Sequence, residues 1–138
     1  MSDRFKGLRH RVDNGRCKSG ERKDLDNKYF RSGWEANIAR YFKYLKQIGE
    51  IVDWQYEPDT FEFHEIKRGT RSYTPDFKIF GKDSKIYYVE VKGWMDPKSK
   101  TRLERMKKYY PDVEIDLIDE TRYRYLRKQL KRLIQNWE

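Results

Sequence analysis

The chain has 138 residues, with 32 Lys and Arg against 23 Asp and Glu, a formal net charge of +9 and 36% hydrophobic residues, enough for one domain with a modest core. Its single cysteine, Cys17, rules out an internal disulfide and suits a reducing compartment, and His10, Cys17 and His64 are too few and too scattered for structural zinc. No apolar run approaches membrane-spanning length, and the basic N-terminus lacks the apolar stretch of a signal peptide, so a soluble intracellular protein without a membrane partner is expected.

Residues 1–28 are polar, carry nine Lys/Arg against five Asp/Glu, and read as a basic N-terminal arm. Residues 29–120 hold seventeen charges of each sign and read as the folded core. Within it, Ser32 is a fitting N-cap for a helix over residues 33–48. Trp34, Ile38, Tyr41, Phe42, Leu45 and Ile48 form its apolar stripe, and Gly49 is a natural stop. Residues 52–56 and 60–63, on either side of Pro58-Asp59, read either as one interrupted strand or as two short ones. A strand over residues 73–80 follows. Gly81-Lys82-Asp83-Ser84 reads as a hairpin turn into a largely buried strand over residues 85–92. Asp96-Pro97 starts a helix over residues 98–110, residues 113–118 alternate as a strand, and residues 121–138 form a basic C-terminal helix with six Lys/Arg against one Glu. The predicted fold class is therefore α/β with a mixed sheet.

The chemistry concentrates in two of those strands. Asp76 follows Pro75, and after thirteen intervening residues come Glu90-Val91-Lys92. Side chains alternate along a strand, so Glu90 and Lys92 share a face, and the hairpin sets Asp76 beside them. Acid-x-Lys triplets arise by chance in a chain that is 40% charged, and most are exposed strand edges. Here Ile86, Tyr87, Tyr88, Val89 and Val91 make the strand apolar, and charges in such a strand are costly unless paired or bound to a metal. Two carboxylates offer oxygen ligands to a divalent cation such as Mg²⁺, and a neighbouring lysine orients a water or offsets phosphate charge. Glu35 lies at the edge of the apolar stripe of the first helix. It reads either as a further ligand or as an ordinary first-turn glutamate favoured by the helix dipole.

Ser32-Gly33-Trp34-Glu35, Tyr73-Thr74-Pro75-Asp76-Phe77 and Val89-Glu90-Val91-Lys92-Gly93 together resemble the PD-(D/E)XK nuclease superfamily. Within it the similarity is greatest to bacteriophage endonuclease I-like junction resolvases and small phage or prophage nucleases, over about residues 30–118. The resemblance implies a restriction-endonuclease-like αβββαβ core and the catalytic set Glu35, Asp76, Glu90 and Lys92. It implies Mg²⁺ or Mn²⁺ held by Glu35, Asp76, Glu90 and the backbone carbonyl of Val91. It also implies hydrolysis of DNA, with branched DNA or a four-way Holliday junction as substrate, a homodimer, and the cytoplasm of a host cell if the gene is phage- or prophage-borne. Other specificities, such as that of a transposase endonuclease subunit or a restriction-like enzyme, remain open within the same superfamily.

Basic groups supply the expected nucleic-acid surface. Lys67, Arg68 and Arg71 precede the Asp76 strand, while Lys98, Lys100, Arg102 and Arg105 follow Lys92 at a helix start, where free N–H groups also attract phosphate. The last helix reads as a DNA, membrane or subunit surface. Leu126, Leu130, Leu133 and Trp137, with the Trp54–Tyr56 segment, are its candidates for a dimer interface. Tyr109, Tyr110, Tyr123 and Tyr125 suit base stacking or the core equally. From a different class, a non-catalytic basic nucleic-acid-binding module fits the charge but gives no reason for carboxylates beside a phosphate.

Overall fold

The computed structural model describes residues 18–138; Cys17, His10 and the first seventeen residues of the expected arm lie outside them. Strands β1 (Gly20–Arg22) and β2 (Lys28–Phe30) form an antiparallel hairpin pairing Gly20 with Phe30. Asp26 and Asn27 close it in the left-handed region, at φ 59° and 60°, which their short polar side chains tolerate. Leu25 in this turn is 2% exposed. Residues 20–28 thus belong to the folded body and not to an arm: buried Leu25, the Asp-Asn turn and the ion pairs of Arg22 and Asp24 anchor a segment that is otherwise polar.

Helix α1 (Gly33–Gln47) begins where Ser32 accepts a hydrogen bond from the Glu35 N–H at 3.1 Å. Its buried side, with Ala36, Ile38, Ala39 and Phe42, lies on a four-stranded sheet. That sheet comprises β3 (Ile51–Tyr56), β6 (Phe77–Gly81), β7 (Ile86–Lys92) and β8 (Ile115–Asp119), in the spatial order β3-β6-β7-β8. The first two pairings are antiparallel and β7–β8 is parallel, as a helical crossover requires. Helix α2 (Pro97–Tyr109) makes that crossover, capped by Asp96, which accepts from the Ser99 N–H. From α1 onward the main sheet and its helices follow the expected αβββαβ order, and the chain is a mixed α/β protein.

Phe61–Glu62 (β4) and Ser72–Tyr73 (β5) pair in a separate two-stranded ribbon. The residues on either side of Pro58-Asp59 are therefore two strands in two sheets. The single strand expected over 73–80 is likewise broken at Thr74-Pro75-Asp76, where proline has no N–H to give a ladder. The ribbon and α2 contribute to a second core of Phe63, Tyr73 and Met106.

Helix α3 (Glu120–Leu130) is shorter than the expected 121–138. Residues 131–138 turn back, with Asn136 at φ 67°, and bring Glu138 onto α1. Arg40, 5% exposed, bonds Asp24 at 2.8 Å and Glu138 at 3.0 Å, and Arg22 bonds Glu138 at 2.8 Å. Burial alone pushes the Glu138 carboxyl up, yet Arg22 and Arg40 hold it below its ordinary value. Asn37 adds bonds to the Tyr123 hydroxyl and to the Glu138 backbone. Leu126, Leu130, Trp137, Trp54 and Tyr56 all pack against the chain's own cores or are buried there, which removes most of the side chains expected at a dimer interface; Leu133 stays 56% exposed. No helix among the described residues is long and apolar enough to cross a membrane.

Candidate metal centre

Strand register builds the site. The pairing of Phe77 with Val89 sets Asp76, one residue before, across from Glu90, one residue after. The pairing of Tyr56 with Phe77 likewise sets Glu57 beside Asp76, and the Glu57 N–H donates to the Asp76 carbonyl at 2.8 Å. Three carboxylates therefore lie in a row across three neighbouring strand ends. Glu35 joins from the first turn of α1. It is held there because Trp34, one residue before, stacks on Tyr123 of α3 at 3.9 Å, and Phe42 of the same helix meets Phe77 edge-on at 5.1 Å.

One open cavity of about 360 Å³ gathers Glu35, Asp76, Glu90, Val91 and Lys92, all five of the expected catalytic and metal-site residues. Glu57, Arg31, Tyr73 and Arg102 line it as well. Sequence reasoning missed Glu57, which stands in Glu57-Pro58 after a strand and looks like turn chemistry. Its φ of 47° is unusual for a residue with a side chain. Only the register of β3 against β6 marks it as a site residue. Glu35, Glu57 and Asp76 each present a carboxylate oxygen within 4.8 Å of the others.

The carboxylates are held by neutral donors rather than cations. Tyr56 donates to Glu35 Oε1 at 2.5 Å and Ser32 to Oε2 at 3.0 Å. Tyr73 donates to Glu90 Oε1 at 2.8 Å. The Val91 N–H donates to Asp76 Oδ2 at 2.8 Å. Among the described residues, Glu57 alone of the four has a salt bridge, to Arg31 Nε at 2.8 Å. Burial raises Asp76 well above its ordinary value, and the charges of Glu90 and Glu35 add to the effect. Burial also raises Glu35, against the hydrogen bonds from Tyr56 and Ser32. Glu90 is pushed up to about 7 by burial, against the opposing pull of Tyr73 and Lys92. Burial raises both phenols too, that of Tyr56 with the Glu35 hydrogen bond and that of Tyr73 with the Glu90 charge.

Four acids gathered in one cavity, with Asp76 buried and the others half-buried, repel one another unless a cation offsets them. An all-oxygen donor set of carboxylates on rigid elements is what a hard divalent cation such as Mg²⁺ or Mn²⁺ takes, so the residues fit such an ion.

The expected DNA-binding residues divide. Arg102 lines the cavity, whereas Lys67, Arg68, Arg71, Lys98 and Lys100 are exposed around the fold and do not line it. Arg105 donates to the Thr70 carbonyl and so serves the structure. The N–H groups at the start of α2 are partly taken, since Asp96 accepts from both Ser99 and Lys100. Of the four tyrosines, Tyr123 is core, Tyr109 and Tyr110 pack around Phe63, and Tyr125 is 62% exposed.

Fold and site together define a mixed α/β domain with a carboxylate-lined cavity where its central strands meet the first turn of α1. The chain belongs to the DUF1064 family, described as proteins of unknown function, whose pattern matches residues 17–130. No curated protein and no solved structure matches it.

Proposed function

We propose that the protein is a metal-dependent DNA endonuclease of the PD-(D/E)XK type. The observation that carries this reading is the convergence of Glu35, Asp76 and Glu90, none of them in a salt bridge among the described residues, with Lys92 in one cavity. Glu35, Asp76 and Glu90 would hold Mg²⁺ or Mn²⁺ together with the Val91 carbonyl, and Glu57 joins them from the end of β3. With all its acids ionised the cavity wall has four carboxylates against Arg31, Lys92 and Arg102, a formal −1. A bound divalent ion would bring that to +1, lower the pKa of a bound water and face a scissile phosphate with positive charge.

Lys92 positions the attacking water or balances the phosphate, and Arg102 reaches a neighbouring phosphate from α2. Tyr56 and Tyr73 fix the carboxylates in place through their hydroxyls. The basic residues Lys67, Arg68, Arg71, Lys98 and Lys100 hold the duplex more remotely. We take branched DNA, such as a four-way junction, as the substrate, on the resemblance to junction resolvases. A homodimer follows from the need for two cuts rather than from a visible interface.

The test is cleavage of linear, nicked, flapped and four-way DNA by the purified full chain in Mg²⁺, Ca²⁺ or EDTA. Turnover in Mg²⁺ alone, strongest on the four-way substrate, is expected. Binding without turnover in every buffer would favour the non-catalytic module instead, and equal cutting of all substrates would favour a nuclease of another specificity.

A further inference from the structure

Trp94 is 70% exposed, more than any other large hydrophobic side chain in the described chain, and it stands two residues after Lys92. Two residues of chain reach at most about 7 Å, so the indole begins close to the cavity. Met95 beside it is 36% exposed. The three-residue link Gly93-Trp94-Met95 is fixed at both ends. On one side is β7, paired with β8 as far as Lys92 and Asp119. On the other is Asp96, whose side chain caps α2.

An indole this exposed, on a link anchored at both ends, leaves a broad aromatic face available to a ligand. Its surroundings indicate the class of that ligand. Lys92 precedes it, Lys98 and Lys100 are exposed on the first turn of α2, and Arg102 on that helix lines the cavity. An exposed aromatic side chain on a segment flanked in sequence by cations suits a nucleobase joined to phosphates. A base in an intact duplex has no free face, so the occupant must be one that has left the stack.

We infer that Trp94 stacks on an unpaired base of the DNA next to the scissile phosphate, and thereby favours substrates whose bases are already unstacked. This rests on reading the cavity as a nuclease site.

The test is binding in EDTA, so that chemistry does not intervene. Affinities of the full chain, Trp94→Phe and Trp94→Ala are measured by anisotropy for a labelled oligothymidylate and for a duplex of equal length. Trp94→Ala is expected to lose about tenfold or more on the single strand, Trp94→Phe to keep most of the affinity, and duplex binding to stay within about twofold. In wild type, oligothymidylate should quench tryptophan emission, and that quenching should vanish in Trp94→Phe. This readout stands even if the alanine variant folds poorly.

Unchanged single-strand binding and quenching in the variants would overturn the inference, as would equal losses on both DNAs. So would loss of self-association in Trp94→Ala with DNA binding intact, which would assign the indole to a protein interface. Trp94-dependent binding without Mg²⁺ cleavage would remove the nuclease reading and leave the stacking contact. Cleavage with Trp94-independent binding would do the reverse.

Discussion

Replacing Glu90 with glutamine should make the metal-free protein more stable, with a gain that opens above about pH 4.5 and is complete above about pH 7. Glutamine keeps the shape of the side chain, and its carbonyl still accepts from the Tyr73 hydroxyl. What it removes is a charge that burial disfavours. The Glu90 carboxyl is raised from 4.5 to about 7. At about 1.4 kcal/mol per pH unit, that sets a ceiling of about 3 kcal/mol.

The sign follows from which state ionises first. Below pH 4.5 the carboxyl is protonated folded and unfolded, and the substitution gains nothing. As pH rises from there to about 7, the unfolded chain ionises readily while the folded one resists, so wild type loses stability relative to the variant. Above 7 the difference is complete. Urea unfolding of both proteins in EDTA at pH 4, 6 and 8 measures it. We expect a gain of about 1–3 kcal/mol at pH 8, since Asp76 and Glu35 share the repulsion and redistribute protons when Glu90 is neutralised. Equal stability at pH 8, or a gain independent of pH, would refute the argument that Glu90 is a strained buried acid.

Four further outcomes are expected. Asp76→Asn and Lys92→Ala should each lower Mg²⁺-dependent cleavage by about a hundredfold or more while DNA affinity in Ca²⁺ stays near wild type, measured by single-turnover cleavage and gel shift. Mg²⁺ or Mn²⁺ should raise the melting temperature of wild type, increasingly with pH because the ion displaces protons, and Glu57→Gln should shrink that rise in a thermal-shift titration. Arg40→Ala should cost about 3–5 kcal/mol in urea unfolding, because Asp24 and Glu138 are then left around a vacated buried charge. Deleting residues 1–17, with five Lys/Arg against two Asp, should weaken DNA binding and flatten its dependence on salt without loss of fold.

Signals that act locally were legible in the sequence. Ser32 and Asp96 each announce a helix start because a short side chain must satisfy a free N–H group within three residues. The turn after Gly81 and the alternation of residues 86–92 fix a hairpin, and with it the meeting of Asp76 and Glu90, from neighbours alone. Features that depend on distant partners were not legible. Glu57 becomes a site residue only when β3 docks on β6, whose partners lie 30 residues apart at Ile51↔Gly81 and 21 at Tyr56↔Phe77. Thr74-Pro75 separates two strands belonging to different sheets, yet the apolar pattern runs through it. The amphipathic pattern of residues 121–138 continues past Leu130, but the backbone leaves the helix there and Glu138 reaches Arg22 and Arg40. No local breaker in 131–135 announces that return.

The turn at Lys82–Ser84 lies away from the chemistry and nonetheless governs it. Asp83 and Ser84 adopt left-handed conformations there, at φ 59° and 61°, and the strands leave the turn with a fixed offset. Adding or removing one residue would slide β7 by one position against β6. Asp76 would then face Val89 or Val91, a methyl-bearing side chain in place of an oxygen donor, while the strands stayed paired. The turn is a ruler: its two left-handed positions limit it to residues that tolerate them, and its length is locked to the reach of two carboxylates at the far end of the hairpin.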